Sequence, residues 1–273
     1  YLKGVAPDLD LKDIYWGMWH TKMITCLFRE AKSHGYKIVL SPSSATDHID
    51  DDTDGFHLLA SKMADGAIIL DNAEGDTRLE YLKRMKIPYV LMGQADDDHV
   101  TWVDIDNESV GRVGCEYLIN KGYKKICFFL GQAQFRVSQL RAKGFEEMAK
   151  EKGIDYKIYF EMDTMKAVSK KVKELYGEFK FDALYISGSE RAIGAYCALN
   201  ELGVSIPESV AVLGIDNLDI TENIYPSMSV VDQHCDVYAR NVLKLLIDLI
   251  EGKDKLGAKH LFVQNTIVER RST

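Results

Sequence analysis

The 273-residue chain predicts an α/β fold of two lobes, each built on a parallel sheet. Short β-branched or aliphatic runs alternate with longer amphipathic segments along its whole length. The runs are more numerous than one ordinary sheet holds. A fresh helical segment also opens directly after the run WVDI, which marks a boundary at Ile105-Asp106. Alternation of this kind leads to parallel pairing, because parallel strands need a crossover long enough to hold a helix. Two lobes then accommodate the strands better than one sheet.

In chain order the expected strands are KIVLS (37–41), GAIIL (66–70), YVLM (89–92), WVDI (102–105), KICFFL (125–130), DALYIS (182–187), VAVLGI (210–215) and MSVV (228–231). Helical stretches lie between them at 20–35, 108–122, 140–153, 190–203 and 237–252. Their apolar residues recur at three and four, and they repeatedly close on glycine, which accepts the left-handed backbone past a helix end. The strand at 229–233 runs into the last long helix, which is expected to pack back on the first lobe. The expected lobes are 1–105 with 234–256, and 106–233 with 257–273.

Composition excludes several function classes. Lys and Arg number 34 against 42 Asp and Glu, a formal charge of −8, so the balance does not suit a phosphate backbone or an anionic membrane surface. An apolar content of 46% is ample for real cores, and no apolar run approaches the length of a membrane span. The five cysteines, at 26, 115, 127, 197 and 235, are odd in number and lack Cys-x-x-Cys spacing, as expected of reduced thiols in a cytoplasmic protein. No Gly-x-Gly-x-x-Gly, phosphate-binding Gly-Lys-Ser/Thr or Gly-x-Ser-x-Gly motif occurs, and no nucleophile–base pair emerges, so neither an enzyme nor a cofactor is expected. Asp50-x-Asp52-x-Asp54-Gly55 copies the first half of a calcium loop, but Ser61 stands where the bidentate glutamate belongs. An acidic helix start explains those carboxylates better. His234 and Cys235 are adjacent rather than spaced for one ion, so no metal is expected either.

Polar residues terminate the oily strands. GAIIL is followed by Asp71 and Asn72, YVLM by Gly93 and Gln94, and KICFFL by Gln132, Gln134 and Arg136. DALYI ends on Ser187 and Ser189, and VAVLGI on Asp216 and Asn217, while IYWGMWH (14–20) follows the first strand. Ligands of parallel sheets sit outside the carboxyl ends of the strands, where helix N-termini supply N–H donors. Carboxylates, amides, hydroxyls, arginines and indoles gathered there suit a polyhydroxyl ligand, with donors and acceptors for its OH groups and a flat ring for its C–H face. Each such residue taken alone also reads as a cap for the next helix.

Several ordered motifs resemble the lactose-repressor/galactose-repressor (LacI/GalR) regulators. SVAVLGIDNLDITENIYPSMSVVDQ (209–233) looks like their proline-led strand ending in an aspartate, followed by a strand ending in a valine-x-glutamine step. VDIDNESVGRVGCEYLINKGYKKICFFLG (103–131) resembles their crossover into the second lobe, LRAKGFEEMAKEKG (140–153) their Arg-x-x-Gly-Phe/Tyr helix, ALNELGVSIPESVAV (198–212) the approach to the aspartate strand, and VERRST (268–273) their closing residues. The resemblance spans nearly the whole chain. It implies two Rossmann-like lobes of the periplasmic binding protein type I kind, a small effector bound between them, and a homodimer. The family's helix-turn-helix headpiece does not precede Tyr1, so the expectation is an effector-binding core whose operator DNA is read by a headpiece outside this chain.

Carried over by motif, Arg141 matches the arginine that binds effector hydroxyl or carboxylate groups, and opens the helix after KICFFLG. Asp216 matches the aspartate that accepts from ligand OH or NH groups, and should approach from an adjacent strand. Trp19 and His20 fall where an aromatic pair packs on the ligand, with Tyr15 and Trp16 as alternatives, and Tyr185 falls where an aromatic lines the opposite wall. Asp71 and Ser189 complete the expected ligand-binding set. Departures are Gly188 and Ser189 in place of Asn-Asp, and Gly93 in place of an aspartate, which puts ordinary hexose specificity in question. Arg141 and Asp216 either bind ligand or serve each other as an ion pair.

The function this implies is that of a regulator's sensor core for a carbohydrate effector, located in the cytoplasm and free of membrane. The alternative is an extracytoplasmic sugar-binding protein of a transporter. Ile224 and Tyr225 on a surface loop, with Phe56, Leu58 and Leu59 on the helix after Asp54, are the expected dimer surface.

Overall fold

The computed structural model describes residues 2–5, 17–44, 55–70, 76–253 and 257–273. Among the described residues the strands form two six-stranded sheets. The chain divides accordingly into one unit of Tyr1–Ile105 with Cys235–Val263 and a second of Asp106–His234 with Gln264–Thr273.

The first unit contains β1 (Leu2–Val5), α1 (Met18–Ser33), β2 (Ser41–Ser44), α2 (Gly55–Ala60), β3 (Ala67–Leu70), α3 (Thr77–Met85), β4 (Tyr89–Met92), β5 (Trp102–Ile105), α9 (Cys235–Ile250) and β11 (His260–Val263). Its sheet runs β11-β5-β4-β3-β1-β2, with every pair parallel. Leu82 and Tyr81 of α3 pack with Ala67, Ile69 and Leu91. Helix α9 packs on α1 and on the central strands, and buries Tyr238, Val242 and Leu246. Two sequence expectations shift here. The strand expected at 37–41 starts instead at Ser41, in register with Leu2, and Val39 and Leu40 before it are exposed. Residues 260–263, expected in the second lobe, add β11 to the open edge of β5, where His260 stacks on Trp102 at 4.7 Å. Asp50, Asp52 and Asp54 lie outside the described residues.

The second unit contains α4 (Asn107–Asn120), β6 (Lys125–Phe129), α5 (Arg136–Lys152), β7 (Asp155–Tyr159), α6 (Met165–Glu178), β8 (Ala183–Ile186), α7 (Ser189–Glu201), β9 (Ala211–Ile215), α8 (Asp219–Asn223), β10 (Ser229–Asp232) and β12 (Thr266–Val268). Its sheet runs β12-β10-β9-β8-β6-β7, parallel except where β12 returns antiparallel to β10. The strict alternation of strand side chains sorts the core into two layers. Cys127, Phe129, Leu184, Ile186 and Val212 meet α6 and α7 through Val172, Ala195 and Leu199. On the other face Phe128 stacks on Tyr185 at 4.2 Å and meets Phe145 of α5.

Helices α4 and α5 touch backbone to backbone. A β-carbon on Gly111 would collide with the Arg141 carbonyl, and one on Gly144 with the Glu108 carbonyl. This pair of glycines therefore sets the distance between the two helices, and with it the position of Arg141. The closing VERRST segment pins the neighbouring strands: Ser272 Oγ receives the Ser229 N–H at 2.8 Å and donates to the Val212 carbonyl at 2.5 Å. Among the described residues no helix is long and apolar enough to cross a membrane.

Candidate functional site

The connections of the second sheet reverse direction between β6 and β8. The chain leaves β6 through α5 to reach β7 at the sheet edge, then crosses back past β6 to form β8. At such a reversal neighbouring crossovers cover opposite faces and leave a crevice outside the carboxyl ends of the strands. The residues delivered there are Gly131 after β6, Ser187 and Gly188 after β8, Asp216 after β9 and Gln233 after β10.

Arg141 is the hub. It lies in the second turn of α5 rather than at its start, because the helix begins at Arg136, and it is buried. Its guanidinium donates from Nε to Asn107 Oδ1 at 2.9 Å, from Nη1 to Ser187 Oγ at 2.9 Å and from Nη2 to Gln233 Oε1 at 2.8 Å. Gln233 then donates from Nε2 to Asp216 Oδ1. Since β8 lies between β6 and β9, Arg141 and Asp216 do not come from adjacent strands, and the Gln233 amide bridges them.

Asp216 ends β9 with φ +85°, a backbone conformation that a non-glycine residue adopts only when its surroundings enforce it. The enforcing bonds are the Asp216 N–H to the Val231 carbonyl at 3.0 Å and the Ser189 hydroxyl, shared between the carbonyls of Ile215 at 2.7 Å and Asp216 at 2.6 Å. Burial pushes the Asp216 carboxyl up to about 6, while the Arg141 charge and the Gln233 hydrogen bond act in the opposite direction. A carboxylate held in this state is a strong acceptor for a ligand OH, because it is desolvated before any ligand arrives. The next residue is structural: Asn217 donates to Asp232 at 2.9 Å and accepts from Arg270 at 2.8 Å.

Of the residues expected from sequence, Arg141, Ser189 and Asp216 come together at these strand ends. Ser189 is fully buried and both its contacts are backbone carbonyls, so it positions Asp216 rather than presenting a hydroxyl. Tyr185 departs from expectation. It points into the layer below α4, against the open side of Gly114, fully buried, with its hydroxyl on the Val110 carbonyl at 2.7 Å. Burial sends its hydroxyl well above the usual phenol range. Strand alternation explains the departure, since Leu184 and Ile186 take the opposite face and leave Tyr185 to fill this one. In the first unit Trp19 and His20 sit in the first turn of α1, edge to face at 5.1 Å. The Trp19 indole N–H is buried with no hydrogen-bond partner among the described residues. Asp71 lies outside the described residues.

Reasoning from sequence missed Asn107 and Gln233 as members of this network. Gln233 closes the valine-x-glutamine step and was thus visible as motif. Asn107 reads as an ordinary helix start, and nothing local reveals its tie to α5. Among the described residues no group of His, Cys, Asp and Glu is arranged to hold a metal ion.

Two α/β units of parallel strands, with polar groups gathered at strand ends, define the architecture of the periplasmic binding proteins. The chain belongs to the periplasmic binding protein-like domain family, whose pattern it matches over residues 115–273. Among curated proteins it is 27% identical over 204 residues to the HTH-type transcriptional regulator CelR of Thermobifida fusca, covering 71% of this chain and 59% of that protein. It is 26% identical over 262 residues to the HTH-type transcriptional repressor PurR of Proteus mirabilis, covering 93% of this chain and 76% of that protein. The fold matches that of a CelR–cellobiose complex with a TM-score of 0.83 at 22% identity, over 100% of this chain and 84% of that one. It also matches a LacI-family transcriptional regulator from Enterococcus faecium with bound ribose, TM-score 0.81 at 19% identity, over 100% and 98% of the two chains. The chain thus spans less than two thirds of CelR's length.

Proposed function

We propose that this chain is the effector-binding core of a LacI/GalR-type transcriptional regulator, and that its effector is a small hydroxyl-rich molecule, a carbohydrate. The relay Arg141–Gln233–Asp216 carries the reading. It places a fixed cationic donor and a desolvated carboxylate acceptor at the strand ends of a binding-protein fold. Hydroxyl groups both donate and accept, so a polyol satisfies both ends of the relay. The fold relatives solved with cellobiose and with ribose support a sugar. The curated relatives, named as HTH-type regulators, support a regulator over a transporter component.

In this reading effector binding changes the affinity of a DNA-reading headpiece for its operator, the protein acts in the cytoplasm, and Trp19 offers a ring surface to the ligand. The reading includes a homodimer. Tyr225, 85% exposed, supports an intermolecular contact, whereas Ile224 packs against the core and Leu59 is buried within the first unit. Calorimetric titration of the chain with a panel of pentoses, hexoses and disaccharides tests the function. One member is expected to bind, and Asp216→Asn to weaken that binding at least tenfold, the loss of one charge-assisted hydrogen bond. A panel with no binder overturns the reading.

A further inference from the structure

A second donor–acceptor pair, Arg191 and Asp163, lies at the same strand ends as the Arg141–Asp216 relay. Arg191, in the first turn of α7, donates from Nη1 to the Ser187 carbonyl at 3.1 Å, on the residue whose side chain already holds Arg141. Its Nε is buried and has no hydrogen-bond partner among the described residues. A buried guanidinium N–H left without an acceptor loses its hydration with nothing in return, and in native proteins such a group calls for an explanation.

Asp163 supplies the complementary group. It follows β7, and burial raises its carboxyl above the ordinary carboxylate value while the Arg191 charge lowers it. A β-carbon on Gly131 would lie 3.1 Å from Asp163 Oδ1, 3.3 Å from Arg191 Nη1 and 3.6 Å from Ser138 Oγ. Three polar side chains from three crossovers therefore converge over one glycine at the end of β6, the strand at the sheet's reversal. Among the described residues no ion pair of 4 Å or less joins Asp163 to Arg191, so the two face the same space without bonding each other. Ser138 and Arg141 lie three apart on α5, on one face of that helix, which makes this surface continuous with the relay.

We propose that Arg191 and Asp163 are a second hydroxyl-reading pair and set the specificity of the site for a neutral sugar: one ring hydroxyl accepts from Arg191 and donates to Asp163. A sugar acid or sugar phosphate is disfavoured at this position, because its anion would meet the Asp163 carboxylate along with the arginine. The inference rests on the carbohydrate reading above, but it fails separately from it.

The test starts from the neutral sugar that the unmodified chain binds in the titration panel; a chain that binds none refutes the functional reading itself. With that sugar as probe, Asp163→Asn and Arg191→Met are each expected to weaken binding tenfold or more while melting curves show that both variants remain folded. The set of its monodeoxy derivatives provides a control on the unmodified protein, independent of any folding defect. One derivative is expected to lose at least tenfold on the unmodified chain and to bind Asp163→Asn no worse than the parent sugar does. Affinity within twofold of the unmodified chain in both variants, or no derivative that discriminates in this way, overturns the proposal. So does a tighter binding of glucuronate or a hexose phosphate than of every neutral sugar.

Discussion

Ser189 holds Asp216 through its backbone: the serine hydroxyl lies 2.6 Å from the Asp216 carbonyl, within a segment that turns at φ +85°. The carboxylate at the strand end is therefore aimed by a residue whose own hydroxyl is taken up by two backbone carbonyls. Ser189→Ala removes the donor and leaves two buried carbonyls short of a partner. We expect a loss of roughly 1–3 kcal/mol in stability by urea denaturation, together with weaker sugar binding as Asp216 relaxes. Equal affinity in a destabilised variant would show that the bond serves folding alone.

Asp216 should give binding and stability opposite pH dependences. Its folded carboxyl, raised to about 6 by burial, exceeds the ordinary unfolded value of 3.8. Between those values the folded state holds more protons than the unfolded one, so stability falls as pH rises from about 4 to about 6 and is level above that. The contribution is on the order of 2–3 kcal/mol. In the proposed site the ligand hydroxyl donates to this carboxylate, so affinity should decline as pH drops below about 6. Asp216→Asn is expected to flatten both profiles, and a variant that keeps the unmodified binding profile would locate the acceptor elsewhere.

Tyr185→Phe separates packing from recognition. The phenylalanine keeps the stack on Phe128 and loses only the hydrogen bond to the Val110 carbonyl. Stability should fall by about 1 kcal/mol, with sugar affinity within twofold. A tenfold loss of affinity would return Tyr185 to the ligand wall.

Gly111→Ala tests how the helices position the arginine. The added methyl collides with the Arg141 carbonyl in a contact that has no flexible side chain to yield. Overpacking of this kind costs typically 1–3 kcal/mol, and the displaced α5 should weaken binding as well, although residue 111 has no side chain to meet a ligand. Melting curves paired with calorimetry read both effects.

Sedimentation of the purified chain at micromolar concentration checks the homodimer. Tyr225→Asp, on a side chain 85% exposed, is expected to shift the population toward monomer while leaving sugar affinity unchanged. A monomeric unmodified chain removes the dimer from the functional reading.

Central strands declared themselves in the sequence. YVLM and WVDI occupy the residues expected of them, since strands covered on both faces read as near-continuous apolar runs, interrupted in WVDI by Asp104 alone. Edge strands did not: DYKIY and HLFV form β7 and β11 with half-exposed residues, and an exposed face imposes no apolar run. Arg141 and Asp216 could be named from local motifs, which carry both residues. The sequence could not say that Gln233 joins them, that Asn107 braces the arginine, or that Asp163 and Arg191 meet over Gly131. Those partners lie on different crossovers, and the order β10-β9-β8-β6-β7 decides which strand ends become neighbours. Tyr185 shows the same division from the other side. Its strand was plain in DALYI, but which face of that strand fills the core and which side chains reach the strand ends is settled only by the helices that pack on it, and α4, opened by Gly114, receives the ring.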